Sequence, residues 1–396
     1  MPSGAMPGEV HGTVRLRYNC PDRLSARRRE RSWQDYRRTL RLSRSARDGR
    51  GPAQAGLCDA ALQSLSEAGV SATVFDAVEA DPSLATVLKA VQTGQAAGVT
   101  GVVGFGGGSS LDVAKIAALL LGSGEDIDEA WGVGNAKGPR KPLVLVPTTA
   151  GTGSEVTPVS IITVGADEKR GVSSPILLPD IAVLDPDLAL GLPPAITAAT
   201  GIDAMVHAIE AYASLNANNN PLSKMLARQA LQLLGANIER AVLDGADREA
   251  RGAMLLGSML AGQAFANSPV AAVHALAYPI GGRFHVPHGL SNALVLPHVM
   301  RFNVPHAETA YADIAVDAFP HLAGERDIKA RCGAFIDCLE GLSARLALPQ
   351  RLRDVGIGEE HLPAMAADAM KQTRLLVNNP RPVGESDALA IYKAAW

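Results

Sequence analysis

"VTGVVGFGGGSSLDVAKIAALLL", residues 99–121, decides the architecture. Up to Phe105 it is a short valine-rich run, the pattern of a strand whose two faces are both covered. Three glycines, Gly106 to Gly108, then break the run, and the apolar residues that follow recur at helical spacing. Strand, glycine turn and helix make one βα unit, and the same alternation continues on both sides. Upstream, "GLCDAALQSLSEAG" (56–69) reads as an amphipathic helix, "VSATVFDAV" (70–78) as a strand and "SLATVLKAVQTGQAAG" (83–98) as a helix. Downstream, "KPLVLVPTTAGTGSE" (141–155) pairs a strand with a loop rich in threonine and glycine, and "DIAVLDPDL" (180–188) is a further strand. Strands alternating with helices predict an α/β domain built on a parallel sheet.

After "LGLPPAITAAT" (190–200) the pattern changes, and nearly every later segment has the period and length of a helix. The pair Pro193–Pro194 breaks the chain between these regimes, which predicts a boundary near 188–194. The expected units are an α/β domain over 56–192 and an all-helical domain over 193–396. "NANNN" (216–220) reads as a loop.

The whole composition is that of a globular protein: 396 residues, 47% apolar and 19% charged. No stretch reaches transmembrane length and no apolar signal segment opens the chain, so the expected compartment is the cytoplasm, with no membrane partner. Cys20, Cys58, Cys332 and Cys338 form no CxxC pair, which argues against a disulfide framework and against cysteine-ligated zinc. A net charge of −3 gives no reason to expect nucleic acid. That average hides an asymmetry. Residues 1–50 hold 13 Arg, no Lys and 5 acids, a net of +8, while the rest of the chain carries −11. Such a segment reads either as a polyanion-binding tail or as sequence foreign to the fold.

Two loops are placed to bind an anionic ligand. Gly106, Gly107, Gly108, Ser109 and Ser110 stand between a strand and a helix start, where glycines let the backbone approach a phosphate and free N–H groups receive it. The loop is neither GxGxxG nor a Walker loop, and its plain alternative is a tight turn capped by Ser109 or Ser110. "PTTAGTGSE" (147–155) adds hydroxyls at the end of another strand, where open α/β sheets bind ligands. Two such loops in succession favour a nucleotide.

In "GIDAMVHAIEAY" (201–212), Asp203 and His207 are four residues apart on one helix face, and burying either group without a partner costs free energy. Downstream, "VHALAYPIGGRFHVPHGLSNALVLPHVMRFN" (273–303) carries His274, His285, His288 and His298. A carboxylate with neutral imidazoles suits divalent iron or zinc, and by spacing alone any of these four histidines completes the set.

These stretches, with "GGGSSLDVAK" and "PTTAGTGSEVT", together resemble the iron-containing (group III) alcohol dehydrogenases, from about residue 56 to the terminal "VNNPRPVGESDALAIYKAAW". The resemblance implies a nucleotide-binding α/β domain followed by a helical metal-binding domain, a dehydroquinate synthase-like arrangement. It implies the ligands Asp203, His207, His274 and His288, which leaves His298 outside the site, His285 as a polar cleft neighbour and Glu210 as a partner of the ligands. Tyr278 stands where many members carry a histidine, so a histidine proton relay is not expected there. Gly107, Gly108 and Ser109 fall on the pyrophosphate contacts, Thr148, Thr149 and Thr152 on the cofactor cleft, and Lys169 on a weaker match. The implied cofactors are Fe2+, with Zn2+ accepted by the same ligands, and NAD or NADP. The implied reaction moves hydride between a small alcohol and its aldehyde or ketone in a homo-oligomeric enzyme, the metal acting as a Lewis acid on the substrate oxygen. No protein base is evident, so the proton is expected to leave through water or a ribose hydroxyl. A maleylacetate-type reductase is the neighbouring alternative and requires cations for a dicarboxylate, for which Arg283 is the arginine among the histidines. A catalytically impaired protein with a polyanion-binding N-terminus is the alternative from another class.

The resemblance fails at the start. Family members begin with two strands and a turn bearing an acidic residue near the adenosine ribose, and no counterpart is read before Gly56. Residues 1–55 instead have the composition of translation in another reading frame. The expectation is a segment not native to the fold, an incomplete adenosine pocket, and a chain that binds metal but binds dinucleotide poorly.

Overall fold

The computed structural model describes residues 14–17, 39–45, 53–165 and 168–396, with 14–17, 39–45 and 53–56 as backbone alone. The first half runs β1 (Val14–Arg17), β2 (Thr39–Ser45), α1 (Ala53–Glu67), β3 (Ser71–Val78), α2 (Leu84–Ala96), β4 (Val102–Gly106) and α3 (Gly108–Ser123). A short α4 (Ile127–Ala130) and β5 (Gly132–Val133) lead to β6 (Leu143–Pro147), β7 (Val159–Val164), β8 (Glu168–Ser173) and β9 (Ile181–Leu184). Six strands form the main sheet in the order β1-β9-β6-β4-β2-β3, and β5-β8-β7 form a smaller one. In the main sheet only β1 pairs antiparallel, with β9. Every residue of β4 is buried, and it pairs in register with β6 from Val102–Leu143 to Gly106–Pro147. The uninterrupted apolar run thus marks a central parallel strand, as its composition requires.

The expectation that no strand precedes Gly56 is corrected. Strand β2 lies between β4 and β3, with Leu42 opposite Val103, and β1 closes the far edge. "VRLR" alternates apolar with polar residues at the strand period and "TLRLSRS" does so only as far as Ser43, too few positions to stand out among the arginines. The acidic turn expected near the adenosine ribose falls outside the described residues.

From Pro194 onward the chain is helical: α5 (Pro194–Ala213), α6 (Pro221–Leu243), α7 (Arg248–Asn267), α8 (Ala272–Phe284), α9 (His288–Ala318), α10 (Ile328–Arg345), α11 (Leu362–Ala369), α12 (Thr373–Leu376) and α13 (Glu385–Ala395). The Pro-Pro pair starts α5, with Pro194 inside the first turn, where its missing N–H costs nothing. "NANNN" ends as the N-cap of α6, the Asn220 side chain accepting from Leu222 and Ser223 N–H. Helix α5 packs against α6, α7 and α9 and is buried nearly all round, with Ile202, Met205, Val206 and Ile209 in the core. Each such side chain contributes about 1.5–3 kcal/mol on burial, which anchors the polar residues α5 carries. No described helix is long and apolar enough to cross a membrane.

Candidate metal centre and dinucleotide loops

Three helices bring the four candidate ligand side chains to one place. Asp203 and His207 come from the middle of α5, His274 from the first turn of α8, and His288 opens α9. Asp203, His207 and His274 are all buried, at 2%, 5% and 2% exposure, and His288 has 40% of its side chain exposed. Asp203, His207 and His274 offer ligand atoms that all lie within 4.8 Å of one another. His274 Nε2 and His288 Nε2 each lie 3.8 Å from Asp203 Oδ1. Ligands about 2.0–2.2 Å from one tetrahedral ion are separated by roughly 3–4 Å, so the close grouping of Asp203, His207 and His274 suits Fe2+ or Zn2+, with His288 beside Asp203 but outside that group of three. Gly289 makes the approach of α9 to α5 feasible, since a Cβ there would sit 2.4 Å from the Ala199 carbonyl oxygen.

The imidazoles are oriented by partners on their far nitrogens. Glu210, one turn beyond His207, accepts from His274 Nδ1 at 2.7 Å. The same carboxylate accepts from Ala271 N at 3.0 Å and Val273 N at 2.7 Å, so it also caps α8, whose own N-cap residue, Ala271, offers no side-chain bond. His207 Nδ1 lies 3.2 Å from the Gly151 carbonyl oxygen, which ties a ligand to the threonine loop. With Nδ1–H engaged, each Nε2 is left as a lone pair directed at its neighbours. His207 stacks between Phe265 at 4.4 Å and His274 at 4.7 Å. Asn292, one turn into α9, donates to Asp203 Oδ1 at 2.6 Å.

The electrostatics favour the deprotonated forms of Asp203, His207 and His288. Burial pulls His207 down to about 3, and burial lowers His288 as well, so both imidazoles are neutral at pH 7. For Asp203, burial works upward, but the neighbouring imidazoles, which attract the carboxylate when protonated, and the Asn292 amide outweigh it and hold the carboxyl below its usual range. A carboxylate and neutral imidazoles are the protonation states a divalent ion requires.

The two loops lie against each other at the ends of β4 and β6. Helix α3 has Gly107 as its N-cap with no side-chain bond, so capping by Ser109 or Ser110 does not occur and the first-turn N–H groups are left without side-chain caps. A Cβ on Gly108 would stand 2.7 Å from Thr152 Cγ2, and one on Gly107 would stand 3.5 Å from Thr149. Thr148 N bonds the Gly106 carbonyl at 3.0 Å, joining the loops through the backbone. Beneath them is a buried group that sequence reasoning passed over. Asp112 accepts from Ser154 Oγ at 2.6 Å and Ile161 N at 2.9 Å, and pairs with the fully buried Lys115 at 3.6 Å. Glu155 beside them is pushed by burial up to about 7.

The remaining positions separate. Tyr278 has its ring 6.0 Å from that of His288, and burial raises its phenol against the opposing pull of Arg374. Lys169 Nζ is held by Asp81 at 2.7 Å and Thr163 at 2.8 Å. His285 is the exposed C-cap of α8 in the left-handed region, with φ 55°. His298 is half-buried among Arg301 and Glu340 rather than among the ligands. Arg283 is engaged by Asp368 at 2.6 Å, so it is not a free cation for a dicarboxylate. Sequence reasoning missed Asn292, although its place four residues after His288 puts it on the same helix face. Phe265 carried no signal, because only packing brings α7 to the site.

The iron-containing alcohol dehydrogenase model matches residues 48–186, and the Fe-containing alcohol dehydrogenase family C-terminal model matches 197–396. Long-chain-alcohol dehydrogenase 1 of Geobacillus thermodenitrificans is 42% identical over 347 residues, covering 86% of each chain. A crystal structure of 1,3-propanediol oxidoreductase superimposes with a TM-score of 0.85 at 35% identity, over 91% of this chain and 92% of that one. Sulfoacetaldehyde reductase from Bifidobacterium kashiwanohense, solved in complex with NAD+, gives 0.77 at 28% identity over 90% of each. The chain belongs to the iron-containing alcohol dehydrogenase family.

Proposed function

We propose that this chain interconverts a small alcohol and its aldehyde or ketone with NAD(P), at a divalent ion held by Asp203, His207, His274 and His288. The observation that carries the proposal is the convergence of one carboxylate and three imidazoles, one of them tied at 3.2 Å to the loop that faces Gly107 and Gly108. Iron is the metal the family name favours, and zinc accepts the same ligands. When bound, the ion supplies Lewis acidity at the substrate oxygen, and the dinucleotide accepts or donates hydride. The chain's own residues do the rest. Glu210 and the Gly151 carbonyl fix the two imidazoles, and burial keeps His207 and His288 unprotonated. Gly107, Gly108 and Ser109 present α3's first-turn N–H groups to the pyrophosphate, with Thr148, Thr149, Thr152 and Lys169 around the cleft. Tyr278 sets its ring 6.0 Å from that of His288. On this division, residues 56–192 belong to the dinucleotide half and 193–396 to the metal half. The NAD+ complex of a solved relative supports the dinucleotide role.

The test is a metal-reconstituted assay with NAD and NADP across C2–C6 alcohols and aldehydes. The expected result is turnover, slow in this chain, that requires metal and disappears in His274→Ala. Turnover of equal rate in metal-free protein, or none with any pair in metal-loaded protein, would overturn the proposal.

A further inference from the structure

Asn292 is fully buried on α9, with its Nδ2 2.6 Å from Asp203 Oδ1, 3.3 Å from His274 Nε2 and 3.3 Å from His288 Nε2. A buried carboxylate oxygen and imidazole nitrogens converging on one place are unfavourable unless something positive stands among them. The amide's two N–H groups supply that partial positive charge, and the bond to the carboxylate is charge-assisted. The same nitrogen takes the place an ion would need. A metal bound at about 2.0–2.2 Å to these atoms leaves no room for N–H groups aimed at it. The other end of the amide, Oδ1, is buried with no hydrogen-bond partner among the described residues. Turning the amide away therefore breaks bonds at its nitrogen only, and those are the contacts an ion would replace.

We propose that Asn292 is an internal stand-in for the ion: its amide nitrogen joins Asp203, His274 and His288 until an ion displaces it, so the two compete for one place. The proposal rests on the four-ligand reading. Its consequence is the reverse of that of a ligand or of a residue that orients one, because losing the amide should improve metal binding. The same contacts join α5, α8 and α9, so the amide holds these helices together before metal arrives and weakens their hold on the ion afterwards.

The test titrates the metal-free full chain with Co2+ and follows thermal unfolding with and without saturating Co2+. It compares the unaltered chain, Asn292→Ala, His274→Ala and the double variant. Asn292→Ala should bind Co2+ about tenfold more tightly than the unaltered chain, since binding no longer has to break a hydrogen bond to a charged group. Its metal-free unfolding midpoint should fall, and Co2+ should raise that midpoint further than it raises the unaltered one. A purely structural role would lower the midpoints with and without Co2+ alike and leave affinity unchanged. Equal or weaker Co2+ binding in Asn292→Ala would overturn the proposal. Should Asn292→Ala fail to fold, Asn292→Ser, which also lacks the amide, is read by the same criteria. Failure of both to fold even with Co2+ present would show that an ion cannot replace the amide, and overturns it too. His274→Ala separates the two readings. If Co2+ binding survives it in either background, the ligand reading fails and takes this proposal with it. If binding is lost there while Asn292→Ala gains nothing, the ligands stand and this proposal alone falls.

Discussion

Asp203 and His207 were legible as a pair because four residues along a helix is one turn, and their polarity is anomalous in so apolar a stretch. The partners that orient them were less so. Glu210 announced itself by falling on the same helix face. That it caps α8 was not legible, because the N–H groups it accepts, those of Ala271 and Val273, lie some 60 residues away in sequence and arrive only by packing. The downstream histidines illustrate the same limit: spacing left four equivalent, and the fold separates His288, beside Asp203, from His298, beside Arg301 and Glu340. This yields a direct prediction. Replacing His274 or His288 by Ala removes a ligand and should abolish bound metal by elemental analysis, whereas His298→Ala should leave metal content unchanged. Equal loss in all three would refute the assignment.

At the scale of elements, β4 followed by α3 was readable from one apolar run and three glycines, and its cap was not. Ser109 and Ser110 are good capping residue types, but the chain enters α3 through Gly107 and leaves the first turn without a side-chain cap. Gly108→Val should therefore act twice. Its Cβ meets Thr152, with Cγ2 at 2.7 Å and Oγ1 at 2.9 Å, and its methyls occupy the approach to the N–H groups. Dinucleotide affinity, followed by nicotinamide fluorescence, should fall by at least about tenfold, equivalent to about 1.4 kcal/mol, in a variant that still binds metal. Unchanged affinity in the folded variant would refute the loop assignment. The short 3-10 turn Ser154–Val156 supplies a second test at this scale. Burial raises Glu155 from an ordinary 4.5 to about 7. A raised folded value means that folding favours the protonated form, so this group's contribution is complete below pH 4.5 and lost as pH rises through 7. The loss is about 3 kcal/mol by pH 8, and Glu155→Gln should abolish it. Urea unfolding at pH 5 and pH 8 should therefore show a smaller pH dependence in Glu155→Gln; identical dependence in the two proteins would contradict the shift.

For the whole molecule, the order of an α/β half and a helical half followed from hydrophobic period alone. The part that did not follow is the place of the arginine-rich segment. Strand β2 occupies a central position between β4 and β3, yet its sequence "TLRLSRS" carries two arginines and three hydroxyl residues, where a central parallel strand is ordinarily apolar. The family model begins to match only at residue 48, beyond that strand. We therefore expect the chain to hold metal through its helical half while binding dinucleotide weakly. Replacing residues 1–55 with family-like strands should raise both stability and dinucleotide affinity. Deleting residues 1–50 should recover neither, since it opens the sheet between β4 and β3. Tight NAD binding by the unaltered chain would show that the arginine-rich strands serve as well as apolar ones. The central claim, that Asp203, His207, His274 and His288 form one metal centre, depends on none of this. It is tested most directly by the stoichiometry of Fe2+ bound to metal-free protein under anaerobic equilibrium dialysis. One ion per chain is expected, lost in His274→Ala; no bound ion, or undiminished binding in that variant, would refute the four-residue centre.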